Sequence, residues 1–485
     1  MAGRLKIPGG CCAALLLWVL SLAAAGDLRL VEAVQRGDQE AVRSLLKQRA
    51  DVNARQADGA TALAWAAHRD DLETAELLIR AGANVNAANE YGVTPLSLAC
   101  GNGNAAMVEK LLKAGANPNA ALFETGETPL MTCARTGSGD AVKLLLARGA
   151  DANAKESRRG HTALMWAAAA KQPEAVRALI EHRADVRARS KSGFTPLLFA
   201  AQQGDLDSAR MLLAAGADVN EATPEDGSPL AVASASGHEA LALFLLDKGA
   251  DPNVADGYGI TPLHFAVQKG LSFLTGVTYL SDYRVRPPSL PELVKALLAH
   301  GANPNARITR GYPSSTRSPE GPPINMAGAT PLFLAAAGAD VPLMRILSAG
   351  GADPALATRQ GNTPLMAAAG AARASNRRDE EEEGRSALEA VRFVVDLGAD
   401  VNTRNANGET AMHAAAYTGS DAIVQFLAGK GATVDVKNKN GETPWTMASG
   451  MCAISNQCGR YSVHPGTAEL LLKLGATPGT LSVVK

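Results

Sequence analysis

Residues 193–220 read GFTPLLFAAQQGDLDSARMLLAAGADVN, and two phrases in this stretch recur along the chain. The first is Gly-x-Thr-Pro-Leu. It stands at Gly92-Val93-Thr94-Pro95-Leu96, Gly126-Glu127-Thr128-Pro129-Leu130 and Gly193-Phe194-Thr195-Pro196-Leu197. Thr261, Thr330 and Thr363 are also followed by Pro-Leu, and variants begin at Thr61, Thr162, Ser228, Thr410 and Thr443. In a regular unit the second phrase follows the Thr by 21 residues, as in Gly82-Ala83-Asn84-Val85-Asn86 and Gly216-Ala217-Asp218-Val219-Asn220. From Thr61 to Thr261 the interval between units is 33 or 34 residues. Self-similarity at such a period is the mark of a solenoid of stacked supersecondary units.

Each recurrent letter has a physical task. A Thr hydroxyl can cap a helix, and Pro suits the first helical position, where no amide donor is required. The Leu points into the stack. The Ala-Ala pairs (Ala66-Ala67, Ala200-Ala201, Ala415-Ala416) let two helices approach closely. A Gly nine residues after the Thr (Gly103, Gly137, Gly204, Gly237, Gly270, Gly419) supplies a left-handed turn. Leu-Leu pairs such as Leu77-Leu78, Leu111-Leu112 and Leu212-Leu213 mark a second helix. The Asp and Asn that follow favour a tight turn into the next unit.

These linked phrases resemble the ankyrin-repeat family across about residues 27–480. The resemblance implies an all-α solenoid of helix–turn–helix units joined by short hairpin-like fingers. Repeats begin near 59, 92, 126, 160, 193, 227, 259, 328, 361, 408 and 441. Residues 26–58 read as an N-terminal capping unit, 59–270 as regular repeats, 271–480 as interrupted repeats and 481–485 as a tail. Lys171 and Arg183 stand where Gly is expected, so the two turns of that unit depart from the pattern.

The interruptions lie in the C-terminal half. The Thr-to-Gly interval grows from 21 to 40 between Thr261 and Gly301, to 35 between Thr363 and Gly398, and to 32 between Thr443 and Gly475. Inserted loops are therefore expected at 271–290, 373–386 and 450–464, on one edge, with a further insertion at 307–327. Residues 373–386 hold Asp379-Glu380-Glu381-Glu382-Glu383, expected as a solvated loop. Residues 450–464 hold Cys452 and Cys458, which would form a local disulfide in an oxidising compartment and remain free thiols elsewhere.

Residues 1–25 read as a targeting segment. Arg4 and Lys6 precede an apolar or small run from Cys11 to Ala25, and Ala23-Ala24-Ala25 supplies a small-residue cleavage site before Gly26. The run is shorter than the roughly 18–20 residues that span a bilayer. The expectation is a periplasmic or secreted protein, with membrane contact only if the segment stays uncleaved. The short, Ala-rich signal has a bacterial character.

Net charge is −1 and aromatics are 4% of the chain, so composition offers no basic face for nucleic acid. The eight His include no metal-ligand spacing, and His264 and His413 occupy the family's structural His position. Gly101-Asn102-Gly103-Asn104-Ala105-Ala106 loosely matches a dinucleotide fingerprint, but Gly103 is the ordinary turn glycine and no strand precedes it. Cys100 and Cys133 lie on neighbouring first helices. Helices normally pack about 8–10 Å apart, whereas a disulfide needs Cα atoms within about 7 Å, so buried free thiols are expected. No catalytic residue, metal ligand or cofactor site is assigned.

The resemblance implies protein binding by the fingers and the exposed side of the first helices. The finger candidates are Tyr91, Phe123, Arg158, Arg159 and Tyr258. The helix candidates are His68, Arg69, Arg135, Gln202, Gln203, Gln268, Lys269 and Tyr417. Trp65 and Trp166, one position past the family's His, are expected in the core. The expectation is a monomeric, non-enzymatic scaffold for another protein. An enzyme or small-ligand binder built on the C-terminal loops, and a structural envelope protein, are the alternatives.

Overall fold

The computed structural model describes residues 27–267, 289–310, 326–370, 380–450 and 463–478. Residues 1–25, Gln268, Lys269, Cys452, Cys458 and most of the loops expected at 271–290, 307–327 and 450–464 lie outside them. Two compact units divide the chain, Met1–Ala217 and Asp218–Lys485. The division falls within the regular repeats, before the insertions begin.

Within each unit the chain is a succession of antiparallel helix pairs. The first unit opens with Arg29–Arg36 and Gln39–Lys47, followed by Ala62–His68 with Leu72–Arg80 and Pro95–Gly101 with Ala105–Lys113. Pro129–Thr136 with Gly139–Ala147, Ala163–Ala169 with Pro173–Glu181, and Pro196–Gln203 with Leu206–Ala214 complete it. The second unit continues the pattern from Pro229–Ala235 to Pro465–Lys473. Helices of seven to nine residues are too short to persist alone in water, so neighbours must stabilise them.

The repeat letters act as their chemistry requires. Thr61, Thr128, Thr162 and Thr195 cap their first helices, each hydroxyl oxygen accepting from the backbone N–H three residues on. Leu63, Leu96, Leu130, Leu164 and Leu197 are buried two positions after the Thr. Leu78 and Leu212 are buried on second helices, while their partners Leu77 and Leu213 stay partly exposed. The turn after the first helix is left-handed at Gly103, Gly137 and Gly204. Lys171 (φ 55°) and Arg183 (φ 63°) adopt the same left-handed backbone without glycine. The turns of that unit therefore keep their geometry at a conformational cost of about 1–2 kcal/mol each.

An asparagine ladder joins successive turns. Asn86 Nδ2 donates to the Gly115 carbonyl (3.0 Å) and its Oδ1 accepts from the Asn117 amide (2.7 Å). Asn119 repeats this with Gly149 and Asp151, and Asn253 with Gly301 and Asn303. Arg187 replaces one rung, its Nε donating to the Gly216 carbonyl at 2.9 Å. Ala355 occupies a rung position and has no side-chain donor.

Three expectations are corrected. Cys100 and Cys133 are disulfide-bonded, with Cα atoms 4.5 Å apart. Both occupy the small-residue positions of first helices, beside Ala99 and Ala134, and these residues are fully buried. Small side chains allow a closer approach than the usual helix spacing. Trp65 and Trp166 are half-exposed rather than core. Finally, the acidic stretch expected as a loop belongs in part to a 17-residue helix, Glu380–Asp396. Glu is a good helix former, and negative charge at a helix N-terminus complements its dipole.

Candidate protein-binding surface

The fingers are built around polar side chains at their bases. Asn89 Oδ1 accepts from the Tyr91 and Val93 amides at 3.0 and 2.9 Å, which fixes the tip that carries Tyr91. Asp256 does the same for Tyr258 and Ile260 at 2.9 and 2.8 Å. Burial holds the Asp256 carboxyl above its ordinary value, against the pull of these N–H donors.

Glu156 organises the finger of Arg158 and Arg159. Its buried carboxylate accepts from the amides of Arg158 (2.6 Å), Arg159 (2.7 Å) and His161 (3.0 Å). Burial opposes ionisation, but the three N–H donors outweigh it and hold the carboxyl below its ordinary value. The inward glutamate leaves both arginine side chains exposed.

Neighbouring fingers of the first unit are joined through their backbones. Glu90 N donates to Asp58 O at 3.0 Å and Phe123 N to Tyr91 O at 3.1 Å. Ser157 N donates to Thr125 O at 2.7 Å and Lys191 N to Arg159 O at 2.8 Å. In the second unit Thr309 N reaches Tyr258 O (2.8 Å) and Lys439 N reaches Asn407 O (2.7 Å). The hairpins themselves are slight: among the described residues only Arg55–Thr61 and Thr223–Gly227 form β-bridges.

The sequence-derived residues fall into three groups. Tyr91 and Phe123 stand out at 66% and 71% exposure, unusual for large apolar side chains. Arg158, Arg159, His68, Arg69, Arg135 and Gln202 are exposed, whereas Gln203, Tyr258 and Tyr417 are partly covered. Gln268 and Lys269 lie outside the described residues.

Arg69 also has a structural task that spacing did not reveal. Its Nη1 donates to the Gln35 carbonyl at 3.0 Å. Asn102, one repeat later, donates to the His68 carbonyl at 2.9 Å, and Thr136 to the Cys100 carbonyl at 3.0 Å. All three stand eight residues after the repeat Thr. They satisfy carbonyls at the ends of preceding first helices, which lack intrahelical partners.

The position four residues after the Thr was missed as a surface. In the first unit it carries Trp65, Leu98, Thr132, Trp166 and Phe199, all half-exposed. Trp65 Nε1 donates to Gln56 of its own finger at 2.8 Å, which places this row in the corner between finger and helix. Phe199 lies 5.2 Å from the rings of both His161 and Phe194. Arg135 sits over Trp166, 5.4 Å from the ring centroid. In the second unit Val232, Phe265, Leu334, Ala367 and Met447 at the same position are buried and Ala414 is partly exposed. Apolar character alone does not separate Trp65 and Trp166, expected in the core, from the buried residues of the first helices.

His264 and His413 are built into the repeat, as the resemblance implied. His264 Nδ1 accepts from the Thr261 amide at 3.2 Å, and its Nε2 lies 3.4 Å from the Ala329 carbonyl. Burial lowers both imidazoles to about 4. Among the described residues no group of three or more His, Cys, Asp and Glu is placed to hold a metal, and no helix is long and apolar enough to cross a membrane.

A family profile described as ankyrin repeats (3 copies) matches residues 30–122, 91–156, 130–223, 197–308 and 382–480. No curated protein matches the chain. The matched segments take in more than half of the sequence, on the helix pairs, capping threonines and left-handed turns described above; the chain belongs to the ankyrin-repeat family.

Proposed function

We propose that this chain is a non-enzymatic binding protein, exported from the cytoplasm, that holds a protein partner against its fingers and the adjoining side of its first helices. Ankyrin repeats are in general protein–protein interaction modules. The observation that carries the assignment to this face is the pair Tyr91 and Phe123. Two large rings project from adjacent finger tips that a backbone hydrogen bond holds together. Aromatic side chains on rigid supports are common energetic anchors at interfaces. Solvation alone gives such rings no reason to be displayed.

Export rests on the N-terminal sequence: a basic start, an apolar run and an Ala-Ala-Ala cleavage site before Gly26. The disulfide between Cys100 and Cys133 suits an oxidising compartment.

The test is affinity capture by the mature chain from extracts of its own cells, with Tyr91→Ala/Phe123→Ala beside the wild type. A specific partner held by the wild type and released by the double variant, at unchanged thermal stability, supports the reading. Equal retention by both removes the finger face as the docking surface. Sequencing the N-terminus of the protein from its native source tests export: a start at Gly26 is expected, and an intact Met1 counts against it.

A further inference from the structure

Among the described residues, charge is distributed unequally between the two sides of the repeats. Many ion pairs join residues on second helices. They run from Arg43–Glu73, Lys110–Glu76 and Arg177–Glu174 to Arg345–Glu389 and Lys473–Glu469. The second-helix side therefore compensates its own charges. Four cations of the finger side differ: the side-chain nitrogens of Arg135, Arg158, Arg159 and Lys191 form no ion pair with a carboxylate, Glu156 accepting only from the arginine backbone amides.

These four cations lie on neighbouring repeats. Lys191 N bonds Arg159 O across adjacent fingers, and Lys191 Nζ reaches the Ser157 carbonyl at 2.6 Å. Arg135 covers the half-exposed ring of Trp166, on the helix that follows the Arg158–Arg159 finger. Of the fingers earlier in the unit, the first is balanced by Arg55 and Asp58 and the next two carry the opposite sign, with Glu90, Glu124 and Glu127. The basic charge is thus a local feature of two fingers rather than a property of a nearly neutral chain.

We propose that this surface, with Arg158, Arg159 and Lys191 on the fingers and Arg135 over Trp166, docks an acidic segment of the protein partner. The inference rests on the docking face proposed above and adds the partner's chemistry. Three features favour a carboxylate-bearing peptide. Guanidinium groups bind carboxylates bidentately. The Glu156 turn fixes the arginine backbone in advance, which lowers the ordering cost of binding. The half-exposed Trp166 ring offers apolar area beside the charges, as an extended peptide with interspersed apolar side chains requires.

The experiment uses the full mature chain and labelled synthetic peptides of equal length: Glu/Asp-rich with interspersed Leu, neutral Ser/Gln with the same Leu, and Lys-rich. A single-stranded oligonucleotide and phosphatidylglycerol vesicles complete the set. The expected result is binding of the acidic peptide about tenfold or more tighter than the neutral one, weakening with salt. Arg158→Glu/Arg159→Glu should abolish that preference at an unchanged melting temperature. A change in tryptophan fluorescence on binding should disappear in Trp166→Phe.

Equal affinity for acidic and neutral peptides, or an acidic-peptide affinity unaffected by the charge reversal, overturns the proposal. Tighter binding of the oligonucleotide or the vesicles through the same arginines also overturns it. With the captured native partner, loss in Tyr91→Ala/Phe123→Ala but retention in Arg158→Glu/Arg159→Glu would leave the docking face standing and reject the acidic ligand. Retention in both would reject the docking face itself.

Discussion

His413 links two repeats: its Nδ1 accepts from the Thr410 amide at 3.1 Å while its Nε2 lies 3.3 Å from the Glu442 carbonyl of the next repeat. This arrangement requires the neutral ring, with the proton on Nε2. Burial keeps the folded value at about 4, against the ordinary 6.5, and His264 behaves alike.

Acid should therefore loosen the second unit. Below pH 6.5 the unfolded chain takes up protons at these two imidazoles, and the folded chain does not until about pH 4. The stability they confer is complete above 6.5 and is lost as pH falls towards 4, by about 3 kcal/mol for each ring. Urea denaturation between pH 7 and 4 should show this decline. In His264→Gln/His413→Gln, whatever its starting stability, the decline should be shallower. An equal slope would mean that other groups cause it.

The covalent tie between Cys100 and Cys133 closes a loop with a sequence separation of 33. A cross-link of that span restricts the unfolded chain, worth about 3–4 kcal/mol on the chain-entropy estimate. Cys100→Ala/Cys133→Ala should lower the stability of the first unit by a comparable amount. Dithiothreitol should destabilise the wild type but have no effect through this pair in the variant. Thiol counting in denaturant without reductant should find both cysteines unreactive.

Lys171 and Arg183 occupy left-handed turns that favour glycine. Replacing either with Gly should raise stability by about 1 kcal/mol, the relieved strain being partly offset by a more flexible unfolded chain. Thermal denaturation of the single variants and the pair tests this. A loss of stability would indicate that the long side chains contribute more than the turns cost.

Ala355 leaves a rung of the asparagine ladder empty. Ala355→Asn should restore it, with Nδ2 reaching the Gly398 carbonyl and Oδ1 the Asp400 amide, as Asn305 does for Gly351 and Asp353 at 3.0 and 2.8 Å. The expected gain is about 1 kcal/mol in denaturant unfolding. The converse, Asn119→Ala, should cost a similar amount.

The repeat was readable because each of its letters answers a local demand, such as a cap at Thr195 or a turn at Gly204. Local chemistry repeated at a fixed interval survives in the sequence. Distances across the stack do not. The approach of Cys100 to Cys133 depends on how closely small residues on two different repeats settle together, and average helix spacing overstates it. Trp166 misled for a related reason: apolar character shows that a residue can be buried, not that a neighbour covers it. Arg69 looked like a surface cation, and only the placement of the preceding helix end reveals its second task. The exposed finger positions of Tyr91 and Phe123 were legible because they follow directly from the repeat register.

The segment between Cys100 and Cys133 includes the finger whose tip is Phe123, an exposed large apolar side chain of the first unit. A protease cutting there would open the main chain but release nothing, because the two pieces would remain fastened through the buried sulfurs. Such a nick would be invisible on a non-reducing gel and would appear as two bands once reductant was added. The tie would thus let the first unit survive a cut at its most exposed aromatic tip, the residue assigned to docking in the proposed function.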